Sequence, residues 1–429
     1  MFKSRRFFRW ITLLILLGAA IISFTLLHQP PVVSCLGMVD PEYRWIIGPA
    51  RWLIRETRSA FAAPGLTVAV AVDQELVWSE GFGYADLANH TPACPDTRFR
   101  VGSVSKPMTA AAIAVLYDQG RLNLDVPVQT YVPEFPAQEV DITIRQLLGH
   151  TAGVRHNDSF QDILNTRHYA TVLDTLDIFK EDPLLFIPGT HYSYSSYGYN
   201  LLGAVIEGVS GEEYLVFMRN QIWQPLGMNH TQADGTESSN GDLATFYEDL
   251  PSGLQVAPFA DLSHKLPSGG LVSTAEDLVR FASALNNGLL VGDQTKKLLF
   301  SPICPDCPAQ GEREGEGYGF GWELDQDPFG RRIALHTGAT VGASAGLSLY
   351  PDQDLALALL MNVGSVTSPN PELHGFPPDP QWIAQLFFLA GGLTTWKFAL
   401  LSSLLLLIAL LAVIGLRQHD LKGRARQLE

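Results

Sequence analysis

Phe99-Arg100-Val101-Gly102-Ser103-Val104-Ser105-Lys106 is the stretch that decides how the rest of the chain is read. A β-type run ends at Gly102-Ser103, and an alanine-rich helix is predicted over 106–117, closed by Gly120. A serine at such a junction is held by backbone rather than by a loose loop. Lys106 lies three residues later, on the same side of the helix one turn away. Serine is a weak nucleophile that needs a base beside it. A crowded, buried ammonium gives up its proton more easily, so a pocket can make lysine that base. The helix start also offers backbone N–H groups for developing oxyanion charge. Taken alone, the same residues describe a serine-capped helix with a solvated lysine, and Pro107 in the first turn fits either account.

Working outward, an amphipathic helix is predicted over 41–62, before Pro64-Gly65. Apolar runs at 66–72 and 75–83 flank Asp73-Gln74 and read as a hairpin. The middle of the chain is mostly helical, at 144–148, 197–209 and 213–222. A further helix over 273–285 opens on a Ser-Thr-Ala-Glu box that makes Ser273 its cap. Strands return at 319–324, 332–336, 345–350 and 355–361. The economical architecture is an antiparallel sheet of about five strands from both ends of the chain. Helices flank it, a mostly helical lobe lies beside it, and a pocket sits between the two.

Two further clusters carry chemistry. In Tyr192-Ser193-Tyr194-Ser195-Ser196-Tyr197-Gly198-Tyr199-Asn200, hydroxyls and an amide crowd a helix start. Tyrosine passes protons, and beside lysine its phenolate is favoured. The other reading is aromatic packing with Ser195 or Ser196 as a cap. His336-Thr337-Gly338-Ala339 closes a strand: His336 donates or accepts near neutral pH, and Gly338 allows close backbone approach. The other reading there is a half-exposed strand end. His150-Thr151-Ala152-Gly153 is similar in type but is expected to be structural.

Together these segments resemble the penicillin-recognising serine hydrolases: class C β-lactamases, D-Ala-D-Ala carboxypeptidases and related esterases and peptidases. The branch that includes the mitochondrial serine β-lactamase-like protein and its bacterial relatives is especially similar. Ser103-Val-Ser-Lys106, Tyr194-Ser195-Ser196 and His336-Thr337-Gly338 stand in the family's order, and the similarity covers roughly residues 55–365. It implies an α/β (α+β) fold of the β-lactamase/transpeptidase type. It also implies an acyl-enzyme on a peptide, amide or ester substrate, with Ser103, Lys106 and Tyr194 as catalytic residues. Ser196, His336, Thr337, Gly338 and Ala339 would bind the substrate and its oxyanion. A true β-lactamase or D-Ala-D-Ala carboxypeptidase is the first alternative, and a non-catalytic binding protein of the same fold the second. Two departures weigh on the choice. Ser196 replaces the amide of Tyr-x-Asn that could grip an acylamide side chain. His336 replaces the fixed charge of Lys-Thr-Gly, so a substrate carboxylate is held less strongly.

The 429 residues allow one large domain or two that share a core. A formal net charge of −15, with no zinc-finger spacing or basic patch, argues against a nucleic-acid partner. Only 17% of residues are charged and 46% are hydrophobic, which suggests apolar sequence serving a membrane. WITLLILLGAAIISFTLL at 10–27 follows Lys3, Arg5, Arg6 and Arg9. FALLSSLLLLIALLAVIGL at 398–416 precedes Arg417, Lys422, Arg424 and Arg426. Both read as transmembrane helices with cytoplasmic tails at 1–9 and 417–429. They would place a hydrolase domain at 41–365 on the periplasmic or extracellular side, with the membrane as partner. The first also fits a cleaved signal peptide, and Val32-Val33-Ser34-Cys35 loosely resembles a lipoprotein processing site. The short apolar run at 382–393 suits an interfacial or packed helix. Cys304-Pro-Asp-Cys307 reads as a local disulfide or an exposed loop pair, and Cys35 and Cys94 as isolated. Two thiols cannot complete a structural zinc site, so no metal or other cofactor is expected. Sequence does not set the oligomeric state.

Overall fold

The computed structural model describes residues 33–156, 164–235, 242–308, 317–364 and 381–392. Its centre is a nine-stranded antiparallel sheet. The strands are β1 (Ser34–Val39), β2 (Gly65–Val72), β3 (Glu75–Asp86), β4 (Gly317–Tyr318), β5 (Glu323–Gln326), β6 (Arg332–Thr340), β7 (Ala343–Tyr350) and β8 (Leu355–Met361). The short strand Thr91–Pro92 pairs with β3. The order across the sheet is β1-β3-β2-β8-β7-β6-β5-β4. The five long central strands are those expected from the two ends of the chain. The run expected at 319–324 is strand only from Glu323 on, as β5, and β1, β4 and Thr91–Pro92 are short additions with little periodicity to read.

Period-two alternation sorts the core. In β2 and β8, Leu66, Val68, Val70, Leu355, Leu357, Leu359 and Met361 point to one face. There they meet helix α1 (Arg44–Ala60) through Ile46, Ile47, Ala50 and Ile54. Each such side chain, fully buried, contributes about 1.5–3 kcal/mol. The alternate positions, Ala69, Ala71, Ala356 and Ala358, are small and face the other layer. Their size lets helix α5 (Ala275–Asn286) lie close against the sheet. Thr274 caps that helix by accepting from the Asp277 N–H, and Ser273 ends the preceding short strand, so the cap stands one residue later than expected.

Between sheet and helical lobe runs α2 (Ser105–Asp118), with Ala110, Ala111, Ala112 and Ala114 among its buried residues. Alanine favours the helix and lets neighbours approach on every side. The lobe beyond it contains α3 (Ile144–Leu148), capped by Thr143 with Gln146 in a reciprocal box, and α4 (Ser196–Ser210), capped by Ser195.

Among the described residues the fold contains no terminal transmembrane helix, and the expected fold class is corrected accordingly. No helix among the described residues is long and apolar enough to cross a membrane. The segments 10–27 and 398–416 and both tails lie outside the described residues. The apolar run near 382–393 forms α6 (Gln381–Gly392), whose 12 residues span about 18 Å against a hydrocarbon core of about 30 Å. It packs Ile383, Ala384 and Phe387 against the outer face of the sheet, where the Phe387 ring stacks on Trp78 at 6.2 Å.

Cys35 and Cys94 are not isolated. They form a disulfide across 59 residues that ties β1 to the turn after Thr91–Pro92. Cys35 is therefore committed to Cys94 rather than free for lipid attachment. Cys304 and Cys307 close the local disulfide that was one of the two readings of their loop.

Candidate active site

From Thr97 to Leu116 every residue is buried except Ser103, which is partly exposed. The chain passes through the core and presents one hydroxyl. Ser103 sits in a tight turn, Gly102–Val104, just ahead of α2, and does not cap the helix. Lys106 is fully buried and not solvated. Its Nζ lies 3.0 Å from Ser103 Oγ, 3.2 Å from Ser196 Oγ and 2.8 Å from the Ser268 carbonyl oxygen. Burial holds this amine well below the ordinary lysine value, the nearby Lys265 charge pushes the same way, and Glu323 opposes both. A neutral amine has two N–H groups and a lone pair. Donation to Ser268 and Ser196 leaves the lone pair for the Ser103 proton.

Tyr194 arrives from the segment before α4, its ring 4.7 Å from Lys106 Nζ. Burial raises its hydroxyl well above the usual tyrosine range, against a hydrogen bond with Ser103 that acts in the opposite direction. The expected phenolate is thus corrected. Burial also pushes Lys106 toward its neutral form, which weakens the cation that would favour a phenolate. Two histidines hold the segment: His150 Nδ1 accepts from the Ser195 N–H and His156 Nδ1 from the Ser196 N–H, each at 3.1 Å. His150 is buried, its ring centroid 4.4 Å from that of Tyr194.

His336 comes from β6. It is buried rather than half exposed. Nδ1 donates to the Thr337 carbonyl at 2.6 Å, because that oxygen only accepts. Nε2 then accepts from the Tyr318 hydroxyl at 3.0 Å. Burial pushes the His336 pKa down to about 3, so the ring is neutral near neutral pH. Thr337 is partly exposed and Ala339 exposed, on the opposite side of the strand from His336. β5 pairs only with residues 332–335, so among the described residues the same edge of β6 is open from 336 to 340.

The two backbones meet here. A Cβ on Gly338 would lie 3.0 Å from Ser103 N, and one on Gly102, where φ is +50°, would lie 2.9 Å from Ala339 N. Only glycines permit that approach, which sets the backbone of the Ser103 turn directly against that of Gly338-Ala339. Ser103, Lys106, Tyr194, Ser196 and His336 thus converge, with Thr337, Gly338 and Ala339 beside them. The Ser196 hydroxyl sits on the Lys106 amine. Sequence reading missed Tyr318, Ser268, His156 and the position of His150. Tyr318 lies one residue before the run taken as a strand, and nothing in its own neighbourhood points to His336.

The β-lactamase sequence pattern matches residues 53–373. The chain belongs to the β-lactamase family. The human serine beta-lactamase-like protein LACTB, mitochondrial, is 31% identical to it, covering 76% of this chain and 74% of that protein. Penicillin-binding protein 4* of Bacillus subtilis is 30% identical, over 69% of this chain and 67% of that one. Among solved structures, the octameric penicillin-binding protein homologue from Pyrococcus abyssi superposes with a TM-score of 0.66 at 25% identity, over 74% and 73% of the two chains. This β-lactamase-family chain is a serine hydrolase that acts through an acyl-enzyme.

Proposed function

We propose that Ser103 is the acylated residue and that Lys106 is its base. The observation that carries this is the single partly exposed hydroxyl 3.0 Å from a buried amine that favours its neutral form. Ser103 Oγ attacks the substrate carbonyl and Lys106 takes its proton. Tyr194, kept protonated, gives its proton to the leaving group as it takes the former Ser103 proton from Lys106, so both end in their starting forms. The Ser103 and Ala339 N–H groups hold the oxyanion. His336 and Tyr318 orient the site. The substrate lies along the open edge of β6 as an extended amide, peptide or ester.

Neutral His336 gives a substrate carboxylate no charge to pair with at that position, which favours esters and amides over β-lactams and peptides ending in a free carboxylate. Two closed disulfides, Cys35–Cys94 and Cys304–Cys307, support an oxidising extracytoplasmic compartment for the domain. Parallel assays with a chromogenic ester, a D-amino acid amide, a peptide ending in D-Ala-D-Ala and a chromogenic cephalosporin test the reading. Turnover should be faster on the ester and the amide. Cephalosporin turnover exceeding both overturns the substrate class.

A further inference from the structure

Tyr194 and Tyr318 reach the site from segments with little regular structure to fix them: Tyr194 lies two residues before α4, and Tyr318 ends the two-residue strand β4. Behind both sits the Cys304–Cys307 disulfide. Its two sulfurs form one small apolar cluster with Tyr192, Tyr194 and Tyr318, separate from the main cores. The residue before the first cysteine and the residue after the second each make one backbone bond into the tyrosine wall. Ile303 N–H donates to the Tyr318 carbonyl at 2.9 Å, and Tyr192 N–H donates to the Pro308 carbonyl at 3.0 Å. The closed bridge holds its two Cα atoms 5.4 Å apart, and so fixes the span between those two bonds. The rings in turn touch: Tyr192 and Tyr318 centroids are 6.1 Å apart, Tyr194 and Tyr318 6.4 Å. Tyr318 carries the constraint on to His336.

We propose that the Cys304–Cys307 disulfide is a positioning element of the acyl-transfer site, setting where Tyr194 and Tyr318 stand against Ser103 and His336, so that opening it slows turnover. The inference rests on Ser103 being the acylated residue. Opening the bridge needs a dithiol reductant, which gives up two electrons and two protons. Its thiols close to a disulfide while Cys304 and Cys307 become free thiols. The loop between residues 303 and 308 then gains conformational freedom, and the two backbone bonds no longer share a fixed span.

The experiment compares the parent chain with a Cys304→Ser/Cys307→Ser double variant on a chromogenic ester. The variant should lose about tenfold in kcat with a smaller change in KM, as expected for a small misplacement of reacting groups. Its pH–rate profile should shift, while fluorophosphonate still labels Ser103 stoichiometrically. Dithiothreitol should bring the parent to the same rate, leave the double variant unchanged, and be reversed by reoxidation. Because the dithiol also opens Cys35–Cys94, alkylation with mass mapping identifies the bridge that tracks the rate. If the double variant fails to fold, reduced and alkylated parent that still melts cooperatively decides the matter. Parent mapped as open at Cys304 and Cys307, yet turning over with the oxidised rate and pH profile, overturns the proposal. Parent that never labels at Ser103 overturns the acyl-serine reading and this inference with it. Normal labelling with unchanged turnover overturns the inference alone.

Discussion

Gly338→Ala perturbs the meeting of the two backbones without touching a reacting side chain. The new Cβ would stand 2.1 Å from the Val101 carbonyl oxygen and 3.0 Å from Ser103 N. Carbon and carbonyl oxygen settle at about 3.3 Å or more, so β6 must retreat from the Ser103 turn by roughly 1 Å. Val101 offers backbone, so no rotamer change relieves the clash. A displacement of that size in a reacting geometry costs about 10²-fold, and loss of one oxyanion donor about 10² to 10³-fold, or 2.7–4 kcal/mol. The expected fall in acylation rate is therefore about 10² to 10³-fold, with a stability loss of about 1–3 kcal/mol from overpacking. Stopped-flow acylation by a chromogenic ester reads the first and thermal unfolding the second. Gly48→Ala is the control. It lies in α1 with nothing within 4 Å of its Cβ position, and should gain about 0.5–1 kcal/mol at the parental acylation rate. A folded Gly338→Ala enzyme that acylates like the parent refutes the account of the oxyanion site.

Lys106→Met should remove most acylation, about 10² to 10⁴-fold for a general base, in single-turnover kinetics. It should also change stability with pH. The folded-state pKa of Lys106 lies below 10.5, so between the two values the unfolded chain binds the extra proton and stability rises with pH. The slope is at most about 1.4 kcal/mol per pH unit. Denaturant melts across pH should show that slope in the parent and lose it in Lys106→Met, which gains stability near neutrality. In the parent, acylation should rise with pH and reach its plateau below the ordinary lysine range; a rate still climbing there contradicts a neutral Lys106. His336→Gln keeps a donor for Thr337 and an acceptor for Tyr318, so its kcat should fall by less than the 10² or more of a lost general base. A loss equal to that of Lys106→Met contradicts the orienting role.

The alternation in β2 and β8 and the run of alanines in α2 made the sheet and its central helix legible, because periodicity and small size act locally. Ser103 and Lys106 were legible for the same reason, being one helical turn apart. Tyr194 and His336 emerged only as motifs in order, since no local rule brings residues 142 positions apart to the same lysine. Tyr318, Ser268 and the paired Cys35 and Cys94 stayed hidden, because their partners are set by register across the sheet and by chain return. The phenolate expectation failed because burial raises the Tyr194 hydroxyl and disfavours the Lys106 charge that would have stabilised the anion. The membrane expectation rested on hydropathy at 10–27 and 398–416, outside the described residues, and no described helix supports it.

The central claim is that the hydroxyl 3.0 Å from the Lys106 amine is the one acylated. Mass mapping of the fluorophosphonate adduct on the parent and on Ser103→Ala tests it directly. A single stoichiometric adduct on Ser103, absent from a Ser103→Ala chain that melts like the parent and turns over no ester, is the predicted result. An adduct on Ser195 or Ser196, or Ser103→Ala turning over substrate at the parental rate, contradicts it.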